Sequence, residues 1–446
     1  MTKPHQQVDE VPTQVRFKIM AFVTLVTILT YMDRLNLSIA GKSIQEELAL
    51  NTQTMGWVFS AFLLGYALFQ VPGGWVGDRY GPRRVLAVSI ALWSIFTVLT
   101  AFAPGLPIAG WMGAVGSLML ARFLVGLGEA ASSPNNNKMV ANWIGSSHRG
   151  MGASFTILGI GVGGAATPPL IAAIMQRWGW RSSFIIAGVF GLLIAAAWAW
   201  YVRDKPEQHK GVNAAERQLI KDSQSLRTRS SGPAPWGRIL SSRSTWGLVL
   251  GYMCQGYPIY FYHTWFFLYL VNQRGLSITK GSLLGSMPYI AIAALAPIGG
   301  LYSDYGVRRF GKKGGRRLAI FTGMGLSALL LWAGSHTKSN VPAILMLACG
   351  AGFNMFAATT FWATCIDLSE DFTGSVSGLM NTFGNLGGWL SPIVTAYLAT
   401  HYGWDRALYS AAFVTLCSPI FFAMVDASHS LDEETSVLRE PVRISA

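Results

Sequence analysis

The chain has 446 residues, of which 51% are hydrophobic and 12% are charged, whereas an ordinary soluble domain is about 25% charged. Its 49 glycines and 16 tryptophans are typical of membrane proteins, in which glycine and interfacial tryptophan are enriched. The net charge of +13 does not indicate a nucleic-acid partner, because the basic residues fall in short segments between apolar runs and not on one basic face. The composition therefore predicts a polytopic protein of the lipid bilayer.

Twelve apolar runs are long enough to be transmembrane helices, each of which needs about 20 mostly apolar residues. The runs are continuous, whereas the strands of a membrane barrel alternate over short segments, so the predicted fold is all-α. The first six runs are 17–39, 55–76, 85–103, 112–133, 151–175 and 182–202, and the second six are 246–271, 281–303, 317–335, 341–365, 374–399 and 406–426.

One long polar stretch, residues 203–244, separates the two sets of runs and mixes charge with Ser, Gly and Pro. This composition predicts a linker with a short surface helix near Asn213–Asp222. The predicted organisation is an N-tail, a six-helix bundle, the linker, a second six-helix bundle and a C-tail, at 1–16, 17–202, 203–244, 245–426 and 427–446.

The loops on the two sides of the predicted spans differ in charge. Of the 34 Lys and Arg residues, 25 lie in the tails and in alternate loops, seven lie in the other loops, and two, Arg34 and Arg122, lie inside spans. Basic loops remain on the cytoplasmic side of a membrane. The asymmetry therefore predicts that both termini and the linker are cytoplasmic.

The two halves of the chain are related by a repeat. A shift of 224 residues (387 minus 163) aligns Gly163-Gly164 with Gly387-Gly388, Pro168 with Pro392, and Gly179-Trp180 with Gly403-Trp404. Because Gly and Pro shape the backbone, repeated spacing indicates repeated backbone geometry and hence a duplication. Two six-helix halves related by an axis along the membrane normal are a transporter architecture, with the substrate site between the halves near the midplane.

The loop between the second and third spans, "GGWVGDRYGPRR", resembles the signature G-x-x-x-D-R-x-G-R-R of the major facilitator superfamily, with Pro82 inserted before the arginines. The matching residues are Gly74, Asp78, Arg79, Gly81, Arg83 and Arg84. The resemblance implies a latch that holds one end of the two halves together in the outward-open state. The loop after the eighth span keeps Gly300 and Asp304 but is a weaker match, and both loops could instead be only positive-inside signals.

Four charged residues lie inside predicted spans of the first half: Asp33 and Arg34 in the first span, and Arg122 and Glu129 in the fourth. Arg122 and Glu129 are seven residues apart, so they share a helix face at about 10 Å along the axis. Charges at membrane depth are costly and usually functional. We expect an anion site with a proton relay, because the arginine fork suits a carboxylate. The structural alternative is two buried ion pairs that lock the helices together.

The stretches "YMDRLNLSIAG" and "RFLVGLGEAASSPNNNKMVANW" around these charges resemble the anion:cation symporter family. That family includes bacterial permeases for hexuronates, galactonate and glucarate, and the animal sialin and vesicular glutamate carriers. The segments "GVNAAE" in the linker and "GLMNTFGNLGG" in the eleventh span are also similar to it. Many members have Pro and a bulky aromatic where this chain has "AASSP", which indicates a changed cavity shape.

The family resemblance assigns roles to the charged residues. It implies that Asp33 and Glu129 carry protons, and that Arg34 and Arg122 serve the substrate carboxylate. It also places Tyr31 and Tyr66 where polar groups commonly line the cavity of the family.

The second half has no charge deep in a predicted span and offers neutral polar and aromatic groups instead. Our candidates for contacts with substrate hydroxyl groups are His263, Trp362, Asn381 and Asn385. The two asparagines are four residues apart and share a helix face. The alternative for each residue is interhelical hydrogen bonding or packing, and for His263 a packed polar residue is favoured over a proton carrier.

These observations predict a proton-coupled symporter that imports a sugar acid, such as a hexuronate, aldonate or hexarate, across an inner membrane as a monomer. The proton gradient is the expected driving force, with no cofactor, no metal and no nucleic acid. An exchanger or facilitator of a dicarboxylate or aromatic acid is the main alternative. A membrane enzyme would need a converging catalytic constellation, which the sequence lacks, and a transporter-like sensor would call for an added signalling domain.

Overall fold

The computed structural model describes residues 11–144, 149–222, 235–369 and 372–431, and the described part is almost entirely helical, with no β-strand among its residues. Residues 1–10 of the predicted N-tail, 223–234 of the predicted linker and 432–446 of the predicted C-tail lie outside it. The all-α prediction is confirmed.

Six helices form the first half: α1 Val15–Leu48, α2 Thr52–Tyr80, α3 Pro82–Phe102, α4 Ala109–Glu129, α5 Ser132–Trp143 and α6 Arg149–Tyr201. Helix α6 has 53 residues, about 80 Å if it were straight, which is more than twice the apolar core of a bilayer. Gly179, with φ 78°, breaks α6 into the fifth and sixth spans. The fourth span continues past Glu129 as α5, so its helical run extends beyond the predicted end at residue 133.

The remaining helices are α7 Ala214–Asp222, α8 Trp236–Ser241, α9 Arg243–Thr264, α10 Phe266–Leu268, α11 Ile278–Gly285, α12 Met287–His336, α13 Asn340–Leu368, α14 Thr373–Tyr402 and α15 Trp404–Phe422. Helix α12 is broken at Gly311, with φ 72°. Within the described residues, seven helical segments are long and apolar enough to cross a membrane. Two of them contain a break and supply two spans each, and the more polar α9, α14 and α15 complete the twelve.

Glycines with positive φ lie at matching turns of the two halves. Gly179 and Gly403, which the repeat aligns, have φ of 78° and 87° between the fifth and sixth spans of their halves. Gly81 and Gly311, between the second and third spans, have φ of 86° and 72°. An L side chain is strained in this region, so glycine is required at all four turns. The repeated spacing therefore corresponds to repeated backbone geometry.

The linker is partly docked on the first half. Glu216 of α7 is fully buried, and its carboxylate accepts hydrogen bonds from the backbone N–H groups of Val15 and Arg16 (both 3.0 Å) and from the Thr13 hydroxyl (2.6 Å). A carboxylate in this position caps α1, whose first N–H groups have no partner within the helix. The predicted surface helix is confirmed, and it is tied to the start of the first span. Burial also lowers the pKa of His209 in the same segment.

One end of the bundle carries the Gly81 turn, α7 and the Gly311 turn, and we call it the basic end. Between the middle of the bundle and the end opposite the basic end, hydrogen bonds join the two halves. They pair Ser38 with Thr264, Ser60 with Trp389, Ser286 with Ala165, and Gln176 with Thr279. Toward the basic end, Cβ atoms built at Gly374 and Gly378 of α14 meet no described heavy atom within 4 Å. The halves thus meet from the middle of the bundle to the end opposite the basic loops.

Helices α2 and α4 cross in backbone contact, and this crossing positions the charged residues of α4. A Cβ atom built on Gly126 would collide with the carbonyl oxygen of Phe62, and one built on Gly65 would collide with that of Phe123. Small residues at a crossing let membrane helices approach closely. The contact sets Arg122 of α4 against the Phe62 ring of α2.

The substitution Gly126→Ala should lower the thermal unfolding temperature in detergent, because the added methyl group must force the two backbones apart, a change that typically costs about 1–3 kcal/mol. Gly325→Ala is the matched control, since a Cβ atom there meets no described atom within 4 Å. Equal losses of stability in the two variants would contradict this account of the crossing.

Candidate functional site

The structure brings the four membrane-depth charges of the first half together on the inner sides of α1 and α4. Asp33 and Arg122 are each 1% exposed and Glu129 is 0% exposed. The Arg34 side chain is 14% exposed and is the most accessible of the set. Two carboxylates and two guanidinium groups balance to zero, so the burial of the set is tolerable.

Arg34 and Glu129 form an ion pair between α1 and α4. Both Nε (2.7 Å) and Nη2 (2.5 Å) of Arg34 contact the same carboxylate oxygen, Oε1 of Glu129. The other oxygen, Oε2, has no hydrogen-bond partner in the described part of the chain. A buried carboxylate with one free oxygen keeps an unused capacity for a proton or a donor.

Asp33 contacts different groups from its neighbour Arg34. Glu129 and Arg122 lie within electrostatic range of the Asp33 carboxylate, and Trp93 and Thr97 of α3 approach it without completing a hydrogen bond of ordinary geometry. Within the described residues, neither Asp33 oxygen has a hydrogen-bond partner, and Nε and Nη1 of Arg122 also have none. The alternative to a transport role is that two buried ion pairs lock the helices together. One such pair, Arg34–Glu129, is present, whereas Asp33 and Arg122 retain hydrogen-bonding atoms without a partner among the described residues.

Three aromatic rings surround the Arg34 guanidinium. Its central carbon lies 4.6 Å from the ring centroid of Tyr66, 5.5 Å from that of Phe62 and 5.9 Å from that of Tyr31. The Phe62 ring also lies 5.3 Å from the Arg122 guanidinium, so it stands against both cations. Phe62 is absent from the sequence-based candidates. The sequence feature that could have indicated Phe62 is its spacing of four residues from Tyr66 on α2, which puts the two rings on one face of the helix.

His263 faces this cage from the second half. Its ring lies 5.5 Å from that of Tyr31 and 5.4 Å from that of Tyr260. Its Nδ1 donates to the carbonyl oxygen of Ile259 at 2.6 Å, which leaves Nε2 for other contacts. A cavity between the halves is lined by Arg34, Leu37, Phe59, Phe62, Leu63, Arg122, Tyr260, His263 and Thr264. The candidates Arg34, Arg122 and His263 therefore share one cavity.

Asn381 and Asn385 of α14 lie together and bind a residue that the sequence did not suggest. Their Nδ2 atoms donate to the side-chain oxygen of Gln70 on α2, at 2.8 and 2.9 Å. Gln70 Nε2 lies 3.4 Å from the Tyr66 hydroxyl, and the Tyr260 hydroxyl donates to Asn385 Oδ1 at 3.1 Å. The asparagine pair is thus connected to the Arg34 cage through Tyr66.

The structure does not bring Trp362 into contact with the charged set. This residue of α13 is 40% exposed, and its indole N–H donates to the Tyr252 hydroxyl at 3.2 Å. Its role in substrate binding stays a prediction. Among the described residues, no group of three or more His, Cys, Asp or Glu side chains is arranged to hold a metal ion.

The signature loop makes its described contacts with the first half and with the start of the linker. Lys138 of α5 pairs with Asp78 at 2.7 Å and donates to the carbonyl oxygen of Gly74 at 2.5 Å. The backbone N–H of Arg83 donates to Asp204 of the linker at 2.7 Å, so Asp204 caps α3 after the Gly81 turn. Arg79 lies over the rings of Trp75 and Tyr80, and Arg84 is exposed. The latch role stays a prediction.

Breaking the Arg34–Glu129 pair on one side should destabilise the protein more than removing both charges. Arg34→Met or Glu129→Met leaves one uncompensated buried charge, which typically costs about 3–5 kcal/mol, whereas the double variant leaves none. The four proteins of this double-mutant cycle would be compared by thermal unfolding in detergent. Additive losses in the double variant would show that the two residues do not interact.

The chain is similar in sequence and in fold to known proteins. Residues 23–392 match the sequence profile of the Major Facilitator Superfamily. The probable galactarate/D-glucarate transporter GudP of Bacillus subtilis is 36% identical over 88% of this chain and 87% of its own, and the probable sulfoacetate transporter SauU of Cupriavidus necator is 32% identical over 87% and 88%. The crystal structure of a bacterial homolog of the human lysosomal transporter Spinster has a TM-score of 0.73 at 17% identity, over 93% and 97% of the two chains.

Proposed function

Because the chain belongs to the Major Facilitator Superfamily, we propose that it imports an organic anion, a sugar acid such as a hexarate, aldonate or hexuronate, together with protons. The family and the relatives identify it as a membrane transporter and not an enzyme. The names of relatives such as GudP support the sugar-acid class. The proposed location is an inner membrane with both termini in the cytoplasm, as the distribution of basic residues favours.

The observation that carries the proposal is the buried Arg34–Glu129 ion pair beside the cavity between the halves. An arriving carboxylate competes with Glu129 for the Arg34 guanidinium, which is the group best suited to bind it. If the substrate takes Arg34, Glu129 becomes a buried carboxylate without its counter-ion, a costly state that a proton relieves. Anion binding and proton binding are therefore linked.

The balance of charge supports the same coupling. The four buried groups sum to zero, so an added anion leaves a net negative charge at membrane depth, and each proton taken up by Asp33 or Glu129 offsets one such charge. Asp33 is suited to this role because it is buried and neither of its oxygens is held in an ion pair by the geometry of the described residues. Release on the other side reverses the exchange, as Glu129 loses its proton and recovers Arg34.

The second half supplies the neutral groups of the proposed site. Tyr260, His263 and the amides of Asn381 and Asn385 offer donors and acceptors for hydroxyl groups, and the rings of Tyr31 and Tyr66 pack against the Arg34 guanidinium. We propose that the first half binds the carboxylate and the proton and that the second half binds the hydroxyl groups. The halves then rock about the site to expose it alternately on the two sides.

In proteoliposomes, Asp33→Asn and Glu129→Gln should each abolish sugar-acid uptake driven by an imposed proton gradient, because a neutral amide cannot take up and release the proton. Glu46→Gln is the matched control, since Glu46 lies on α1, the helix of Asp33, and its side chain is 69% exposed. The measurement is accumulation of labelled substrate with and without the gradient. Full gradient-driven uptake by both acid variants would refute the coupling assignment.

A panel of anions separates the proposed substrate class from its alternatives. We expect galactarate, D-glucuronate or D-galactonate to raise the thermal unfolding temperature and to support counterflow, because the site combines arginines with hydroxyl-binding amides. The SauU relative makes sulfoacetate the main competing ligand, and adipate and benzoate represent the dicarboxylate and aromatic-acid alternatives. Counterflow supported only by sulfoacetate, adipate or benzoate would refute the sugar-acid proposal.

A further inference from the structure

Gln70 is the polar member of an aromatic stripe on α2. Phe62, Tyr66 and Gln70 follow one another at intervals of four residues, so their side chains lie on one face of the helix. Phe62 and Tyr66 contact the Arg34 guanidinium, and Gln70 lies one turn nearer the basic end. It is 9% exposed and buried between the two halves. An amide in this position must find its hydrogen bonds within the protein.

Gln70 satisfies its oxygen entirely from the second half. Asn381 and Asn385 each donate to this single atom, at 2.8 and 2.9 Å, so both of its acceptor positions are used. The two asparagines are one turn apart on α14, and their shared acceptor fixes the direction of both amides. Each Nδ2 carries a second N–H that this contact does not use.

The same contact lies on the side of the α2–α14 pairing that faces the basic end. These helices run antiparallel, with Ser60 opposite Trp389 and Gln70 opposite Asn381 and Asn385. Beyond Asn381 toward the basic end, Cβ atoms built on Gly378 and Gly374 meet no described atom within 4 Å. Of the hydrogen bonds between α2 and α14 among the described residues, those of the amide cluster lie nearest the basic end.

We propose that Gln70 is a positioning residue for substrate selectivity: it fixes the Asn381 and Asn385 amides so that their remaining N–H groups face the hydroxyl groups of the substrate. This inference rests on the proposed function and extends it to a residue of the first half. The part of the second half that binds hydroxyl groups is then ordered only while α2 lies against α14. Recognition of the polyol chain thus depends on the approach of the halves.

The test compares each sugar acid with its unhydroxylated counterpart, adipate for galactarate, hexanoate for D-galactonate and tetrahydropyran-2-carboxylate for the pyranose form of D-glucuronate. The measured quantity is the dissociation constant of the unhydroxylated acid divided by that of the sugar acid, both determined for the purified, full-length protein. Gln70→Met and the shorter Gln70→Asn should each reduce this ratio about tenfold, the equivalent of one ordered hydrogen bond, by weakening binding of the sugar acid alone. Gln70→Glu keeps an acceptor oxygen and should preserve most of the ratio.

Ser60→Ala is the matched control, because it removes another hydrogen bond between α2 and α14, at 3.0 Å, that involves no proposed substrate ligand. It should leave the ratio unchanged. The inference is overturned if Gln70→Met and Gln70→Asn keep the wild-type ratio, if they weaken both acids equally, or if Ser60→Ala has the same effect. A wild-type protein that binds none of the three sugar acids overturns the proposed function, and this inference with it.

Discussion

The ion pair between Arg34 and Glu129 is the constraint around which the first half is organised. A guanidinium and a carboxylate at membrane depth are stable only as partners. The backbone crossing of α2 and α4 at Gly65 and Gly126 fixes the position of α4, which carries the Glu129 carboxylate. The aromatic face of α2 then covers the cation. In the proposed mechanism an anion competes with Glu129 for a cation already in use, and this competition makes proton and substrate binding interdependent.

The two halves contribute different chemistry to one cavity. The first half places all four membrane-depth charges on α1 and α4, and the second half presents the hydroxyl groups of Tyr260 and Thr264 and the imidazole of His263. Gln70 is the side chain of the first half that enters the polar cluster of the second. The halves meet from this cluster to the end opposite the basic loops, so the geometry of the site is tied to how far the halves have approached each other.

The sequence was sufficient for the twelve spans, the repeat and the charged set, because each depends on a strong local signal: apolar length, glycine turns such as Gly179, and charges that an apolar helix rarely contains. It was insufficient for Gln70 and Phe62, since one amide or ring in an apolar helix is common and only the tertiary contact distinguishes it. The cap that Glu216 gives to α1 was hidden for the same reason, because its partners lie about 200 residues away in the chain.

The most direct test is the number of protons taken up when a sugar acid binds to the purified protein, measured by titration calorimetry in buffers of different ionisation enthalpy. If the substrate displaces Glu129 from Arg34, binding is accompanied by proton uptake, and Glu129→Gln reduces that uptake while the anion still binds. Tight binding of the sugar acid to the wild-type protein without any proton uptake would contradict the account.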